Sequence, residues 1–210
     1  MIHQKFFNYQ FPKNKDGNNF FTNHTNQEAF DFSHMSDFDQ NIFLYGQKKS
    51  GKSHLMNIWK EKNNAIIFKN NFSDLLESKN NIAIDDALVT ISEEKLFHLI
   101  NHCKIYNLKI FLTSSIDLNN FEFKLKDLFS RLRSFYYLII KIPDDEMCKM
   151  LMTKLFSEKQ IIIKNKEIFD YIFNRVNRTY VDIFFLVEKL DKLSLEKKRQ
   201  LTIPLIKEII

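Results

Sequence analysis

The chain of 210 residues predicts an α/β protein: a five-stranded parallel sheet with a P-loop and helices on both faces, followed by a small all-helical lid domain. Three observations carry that prediction. Short, near-continuously apolar runs alternate with helical stretches between residues 40 and 142, the pattern of strands buried on both faces. The segment Gly46-Gln-Lys-Lys-Ser-Gly51-Lys52-Ser53 stands directly after the first such run and opens a helical stretch. After Pro143 the strand signal stops, and apolar residues recur at helical spacing.

Taken in order, residues 1–39 are polar, Asn-rich and aromatic with little periodicity, and read as an arm that is partly irregular and partly docked. Strands are expected at 41–45, 65–68, 82–85, 109–114 and 135–142, where β-branched and aromatic residues concentrate. Helices are expected between them at 53–62, 72–78, 92–106 and 124–132. Past residue 142, PDDEM opens with a proline and acids as a helix start does, and this helix runs to about 158. Three more follow near 165–177, 180–193 and 203–210, with the charged run LEKKRQ at 195–200 as a solvated turn. The expected domains are therefore 1–39, 40–142 and 143–210.

Composition narrows the function classes. No run approaches the roughly 18 apolar residues of a membrane span, and the first 30 residues lack the apolar core of a signal peptide, so a cytoplasmic protein with no membrane partner is expected. Cys103 and Cys148 lie far apart without a CxxC pair, which excludes a disulfide scaffold and a cysteine zinc site. The net charge of +5 and pI near 9.0 invite a nucleic-acid partner. The excess is almost all lysine without a contiguous patch, and arginine occurs only at 131, 133, 175, 178 and 199. Direct DNA binding through charge is not expected.

The chemistry-bearing motifs converge on phosphate. Two of only three glycines occupy the fixed positions of G-x-x-x-x-G-K-[ST]. In that pattern the backbone N–H groups of Gly46, Gln47, Lys48, Lys49, Ser50 and Gly51 curl around phosphate oxygens, and the following helix adds a favourable dipole. Lys52 reaches the β and γ phosphates, Ser53 ligates Mg²⁺, and His54 follows in the nucleotide site. The strand of NNIAIDDAL ends in Asp85 and Asp86, placing one carboxylate beside the metal and the other near the attacking water. Thr113, Ser114 and Ser115, at the polar end of KIFLTSS, emerge beside Asp85 if the two strands are neighbours. Ser114 is the candidate γ-phosphate contact. Arg131 and Arg133 in LKDLFSRLRSF end a helix, where an arginine can reach a neighbouring subunit's nucleotide. His98 and His102, one turn apart with Glu94 before them, read as a packed or surface pair, since no third ligand cluster accompanies them.

With those residues in hand, the sequence resembles the AAA+ ATPase domain of the bacterial replication initiator DnaA, and more closely the shorter Hda proteins of that family. GKSHLMNIW is similar to their phosphate loop and helix, EEKLFHLIN to the helix after the acidic strand, KDLFSRLRS to their SRLR box and RQLTIPLIKEII to the C-terminal helix of Hda. The resemblance implies bound ATP or ADP with Mg²⁺. The implied partners are DnaA, whose ATP hydrolysis would be triggered, and the polymerase sliding clamp, through which DNA is contacted indirectly. It implies that Arg131 acts in trans as an arginine finger, beside the catalytic Asp86 already read from the acidic strand. The lid arginine of the initiator falls at Val181, with Arg178 one turn earlier as its substitute, and the initiator's acid after LTS is Ser115. These departures imply a held nucleotide and slow turnover. Clamp attachment in the family uses a QLxLPL-type peptide; the nearest stretch is QKFFNY, with Gln4, Phe6, Phe7 and Tyr9 as contacts but Lys5 and Asn8 where leucine and proline are usual. No helix-turn-helix domain is expected after the lid, and a homo-oligomer is possible. Two alternatives stand beside this reading: a helicase-loading or DNA-remodelling ATPase, and a non-enzymatic ADP-bound adaptor.

Overall fold

A computed structural model describes residues 20–36, 38–68, 72–77, 79–163 and 167–210. The chain divides into two units, one of residues His24–Lys141 and one of Ile142–Ile210 with residues 20–23. The clamp-peptide residues Gln4, Phe6, Phe7 and Tyr9 lie outside the described residues.

The first unit is a five-stranded sheet of β1 (Ile42–Gly46), β2 (Ala65–Ile67), β3 (Asn81–Ile84), β4 (Ile110–Ser114) and β5 (Tyr136–Ile140), in the order β2-β3-β4-β1-β5. Every pairing is parallel, with Phe43 opposite Leu112 and Tyr137, and Ala83 opposite Phe111. Alternation along each strand sends successive side chains to opposite faces. Phe43, Ile82, Ile84, Ile110 and Leu112 meet Leu96, Leu99, Ile100 and Cys103 of α5 (Glu93–Ile105) and Leu128 and Leu132 of α6 (Lys126–Leu132). On the other face Phe111 meets Trp59 of α2 (Lys52–Lys62), with ring centroids 5.3 Å apart. A sheet covered in this way explains why its strands are apolar at nearly every position.

Helix α1 (Gln27–Ser33) lies inside what the sequence reads as the arm, so residues 24–39 belong to the sheet unit. Local periodicity is poor there because the segment is held by aromatic contacts to a distant strand. Phe32 stacks on Tyr136 at 4.4 Å, Phe38 meets the same ring edge-on at 5.2 Å, and Tyr136 donates to Glu28 Oε1 at 3.1 Å. The Lys141 N–H donates to Thr25 O at 2.9 Å, so this segment also covers part of the edge left by β5. Between α2 and α5 stand α3 (Phe72–Glu77) and α4 (Ala87–Thr90), the latter a single turn too short to show as periodicity.

Two asparagines hold the central strand at its entry. The Lys109 N–H donates to Asn81 Oδ1 at 2.8 Å, and the Ile110 N–H donates to Asn41 Oδ1 at 2.9 Å. Asn41 also accepts the Tyr136 N–H on its backbone carbonyl at 2.7 Å, so one residue ties the starts of β1, β4 and β5 together.

The second unit is helical: α7 (Asp145–Glu158), α8 (Glu167–Phe173), α9 (Tyr180–Lys197) and α10 (Ile203–Ile206). Asp144 caps α7 by accepting the Met147 N–H at 2.7 Å, and Asn23 donates to both of its carboxylate oxygens. Thr179 and Asp182 cap α9 by a reciprocal exchange. Cys148, Met152, Phe156, Ile168, Ile172, Ile183, Val187, Leu190 and Ile206 form its core. The run LEKKRQ is a turn only from Lys198 on, because α9 continues through Lys197 before Lys198 adopts φ 50° and closes it. The last helix is one turn long rather than reaching 210. Among the described residues no helix is long and apolar enough to cross a membrane.

Removing the acceptor from either entry asparagine leaves an N–H of the central strand unpaired, and Ile110 is fully buried. Asn41→Ala and Asn81→Ala are each expected to lower unfolding free energy by about 1–3 kcal/mol. Urea unfolding monitored by circular dichroism checks this, with an unchanged slope expected for both variants.

Candidate functional site

At the carboxyl edge of the sheet the chain leaves β1 through the loop Gly46–Gly51 and enters α2 at Lys52. Two positive φ values make the turn, 66° at Lys49 and 96° at Gly51, which is the N-cap of α2. Gly51 is needed there because an L side chain is strained at that φ. Gly46 is needed for space: a Cβ on it would lie 2.9 Å from Ser50 Oγ and 3.0 Å from Ile140 Cβ. The first N–H groups of α2 have no partner within the helix and face the loop end.

Lys52 is buried and donates through Nζ to the Gly46 and Gln47 carbonyls, each at 2.8 Å. Burial holds its pKa below the ordinary lysine value, against the opposing pull of the Asp86 and Asp85 carboxylates, and the Lys48 cation adds to the lowering. Ser53 Oγ donates to Asp85 Oδ2 at 2.7 Å, and Thr113 Oγ1 donates to Asp85 Oδ1 at 2.6 Å. The expected adjacency of the two strands is present, since β3 pairs with β4. Thr113 also accepts the Asp86 N–H at 2.8 Å.

Asp86 sits in the left-handed region at φ 48° and its carboxylate is occupied. Oδ1 accepts the Ser115 N–H at 2.7 Å and the Ser115 hydroxyl at 2.9 Å. Ser114, the residue singled out from sequence, turns away: its hydroxyl donates to Ile116 O at 2.7 Å and accepts the Ile116 N–H at 3.0 Å. Strand alternation explains the swap, because Thr113 and Ser115 share a face and Ser114 takes the other. His54 occupies the first turn of α2, half-buried.

The loop has features that fit a phosphate group. Among the described residues Ser50 Oγ and Gln47 Oε1 are buried polar atoms without a hydrogen-bond partner. A hydroxyl donor, a lysine cation and unsatisfied helix N–H groups lie on one short segment, and two hard oxygen ligands, Ser53 and Asp85, stand beside them. Cys103 and Cys148 are not nucleophiles, since burial pushes their thiols up to about 12 and about 11.

Arg131 is half-buried near the end of α6, and its guanidinium carbon lies 4.6 Å from the centroid of the Phe97 ring on α5. Among the described residues it forms no ion pair. Arg133 is exposed and lies over Phe129 of its own helix at 5.7 Å. Arg178, in the helical unit, donates to Asp145 Oδ1 at 2.6 Å. His102 packs on Tyr106 at 4.5 Å, and no cluster of three metal-ligating side chains occurs among the described residues.

Comparison with known proteins follows the two units. The family model described as the lid domain of Hda matches residues 144–210. An uncharacterized protein of Haemophilus influenzae is 26% identical over 195 residues, covering 83% of this chain and 84% of that protein. The chromosomal replication initiator DnaA of Buchnera aphidicola is 29% identical over 177 residues, covering 71% of this chain but only 35% of the initiator. The chain thus spans about a third of that relative's length. Among solved structures, domain III of Thermotoga maritima DnaA superposes with a TM-score of 0.70 at 20% identity, covering 91% of this chain and 95% of that one. The AMPPCP-bound DnaA of Aquifex aeolicus gives 0.65 at 19% identity, covering 85% and 66%. Likeness at these identities is likeness of fold. Residues 144–210 thus match the lid domain of Hda, and the chain shares the fold of domain III of DnaA.

Proposed function

We propose that the chain regulates chromosomal replication initiation by holding ATP or ADP in the Gly46–Ser53 loop and by stimulating, together with the sliding clamp, ATP hydrolysis by the initiator DnaA. The observation that carries this reading is Arg131, a half-buried guanidinium that rests on an aromatic ring and forms no ion pair among the described residues. A structural arginine at a helix end is ordinarily consumed by a carboxylate of its own subunit; this one keeps its five N–H donors for a partner. The likeness to DnaA supports the initiator as that partner, and the solved Aquifex relative carries AMPPCP, an ATP analogue.

In this reading Lys52 exchanges its two loop carbonyls for phosphate oxygens, and Ser53 and Asp85 hold Mg²⁺. The metal supplies charge neutralisation for the phosphates. The chain's own turnover is slow because the Asp86 carboxylate, the acceptor nearest the site, is occupied by the Ser115 N–H and hydroxyl. Attachment to the clamp through Gln4–Tyr9 brings the protein to DNA, with Phe6, Phe7 and Tyr9 as apolar anchors. Arg178, paired with Asp145, is the lid's contribution to sensing nucleotide.

Lys52→Ala is expected to weaken nucleotide binding at least tenfold, about 1.4 kcal/mol, in a fluorescent-nucleotide titration, with the fold retained. The wild-type affinity also has a pH signature. The charged amine binds phosphate, so affinity is full below the folded pKa of Lys52 and is lost as pH rises through it. Because that pKa is lowered, the loss sets in below the ordinary lysine value of 10.5. Equal affinity of the variant, or a flat profile, refutes the assignment.

Arg131→Ala is expected to leave the protein folded and nucleotide-bound while cutting its stimulation of ATP hydrolysis by the cognate initiator, in the presence of clamp-loaded DNA, by a large factor. Fingers of this kind contribute roughly 10³–10⁵ in rate in other phosphoryl-transfer systems. Arg131→Lys should restore little, because a point charge does not reproduce the planar fork. A lowered melting temperature with a merely proportional loss of stimulation identifies a structural arginine instead.

Deleting residues 1–10 is expected to abolish clamp binding at an unchanged melting temperature. Clamp binding that survives a drop in melting temperature shows that those aromatics pack on the protein itself.

A further inference from the structure

Arg131 lies in a helix whose two ends are both held by α5. The first residue of α6 follows Leu125, an N-cap without a side-chain acceptor, so the turn needs its hydrogen bonds from elsewhere. Glu93 provides them: Oε1 accepts the Lys124 N–H at 3.2 Å and Oε2 the Leu125 N–H at 2.8 Å. One turn further along α5, Phe97 places its ring 4.6 Å from the Arg131 guanidinium. Residues i and i+4 of a helix share a face. One stripe of α5 therefore grips the start of α6 and seats the arginine near its end. Leu96, Leu99, Ile100 and Cys103 bury the adjoining stripe in the core, so the seat stands on the sheet itself.

We infer that Glu93 and Phe97 are positioning residues for Arg131, presetting its guanidinium for the nucleotide of a partner subunit; this rests on the finger reading proposed above. A free arginine side chain loses rotamer freedom when it engages a ligand. Stacking on a fixed ring removes much of that freedom before the partner arrives, and the ring satisfies the cation without consuming its N–H donors. The surroundings keep it that way. Phe97 lines a cleft of about 240 Å³ with Lys124, Leu125, Lys126 and Asp127, where the Glu93 carboxylate is taken up by the Lys124 and Leu125 N–H groups and Asp127 forms no ion pair with Arg131. Arg133 has no such seat, since the ring beneath it belongs to its own helix.

The test compares Phe97→Leu, Phe97→Tyr and Glu93→Gln, each with Arg131 present and with Arg131→Ala. The rate measured is ATP hydrolysis by the cognate ATP-loaded initiator with clamp-loaded DNA, at saturating regulator. Phe97→Leu is expected to lower the maximal stimulation roughly two- to fivefold, the range of an exposed cation–π contact. Phe97→Tyr, which keeps the ring, should retain it. Glu93→Gln, which keeps one acceptor oxygen of the carboxylate pair, should lie between. In the Arg131→Ala background none of the three should have a further effect, because an interaction that acts through Arg131 vanishes with it. Melting temperatures separate this from a general loss of fold. Independently of any partner, the Arg131 Nε–H resonance in arginine-labelled protein should show a ring-current shift that Phe97→Leu abolishes and Phe97→Tyr preserves. That spectrum of the wild-type protein decides the matter even where Phe97→Leu fails to fold: an unshifted resonance overturns the seat. Full stimulation by Phe97→Leu, or equal losses in both backgrounds, overturns the positioning role while leaving the finger intact. If Arg131→Ala itself stimulates normally, the finger reading fails and this inference falls with it.

Discussion

The Asp85 carboxylate takes a hydroxyl on each oxygen, Ser53 from the helix that follows β1 and Thr113 from the end of β4. Three segments far apart in sequence are tied by that one group: the end of β3, the entrance of α2 and the end of β4. Hydrogen bonds to a charged acceptor contribute about 1.5–3 kcal/mol each. The Asp86 N–H donates to the same Thr113, so the turn after β3 is held by backbone as well as by side chain. The phosphate-type loop, the acids and the hydroxyl strand keep a common register because of this knot.

A tension runs through the same edge of the sheet. Lys52 is buried against two loop carbonyls and its charge is disfavoured there, whereas the Asp86 carboxylate is drawn onto the Ser115 N–H and hydroxyl. Both arrangements satisfy polar groups internally in the absence of an anion, as buried polar groups demand. A phosphate can displace the carbonyls from Lys52 and still leave Asp86 engaged. The Lys52 and Asp86 arrangements therefore rest on different contacts. On the other side of the sheet unit, the helices that follow the acids carry the outward-facing chemistry: α5 anchors in the core by one stripe and presents Glu93 and Phe97 to α6 by another.

The asparagine content of the chain has a comparable double meaning. As composition it signals only bias. At the strand entries, however, Asn41 and Asn81 satisfy the N–H groups of Lys109 and Ile110, which have no ladder partner at the start of a central strand. Nothing in the local sequence separates these two from the remaining asparagines, since the bond partner is 28 residues away in one case and 69 in the other.

Local information was sufficient wherever the physics is local. Five apolar runs became five parallel strands because burial on both faces leaves its mark at every position, and the loop was legible because glycine at 46 and 51 answers to steric limits that a few neighbours set. The start of α7 at PDDEM was visible for the same reason. Helix α1 was not, because aromatic contacts to β5 stabilise it rather than its own periodicity. The choice among Thr113, Ser114 and Ser115 likewise belonged to the sheet: register and pleat put Thr113 on Asp85 and turned Ser114 into its own chain. Arg131 was identifiable as a residue of interest from its helix, but that it rests on Phe97 rather than on a carboxylate follows from the packing of α6 on α5. The sequence by itself determined the order of elements and the phosphate-type loop, which depend on neighbours along the chain. Only the tertiary structure decided which hydroxyls meet which acids and what holds the arginine, because those pairings depend on distances that the chain closes by folding.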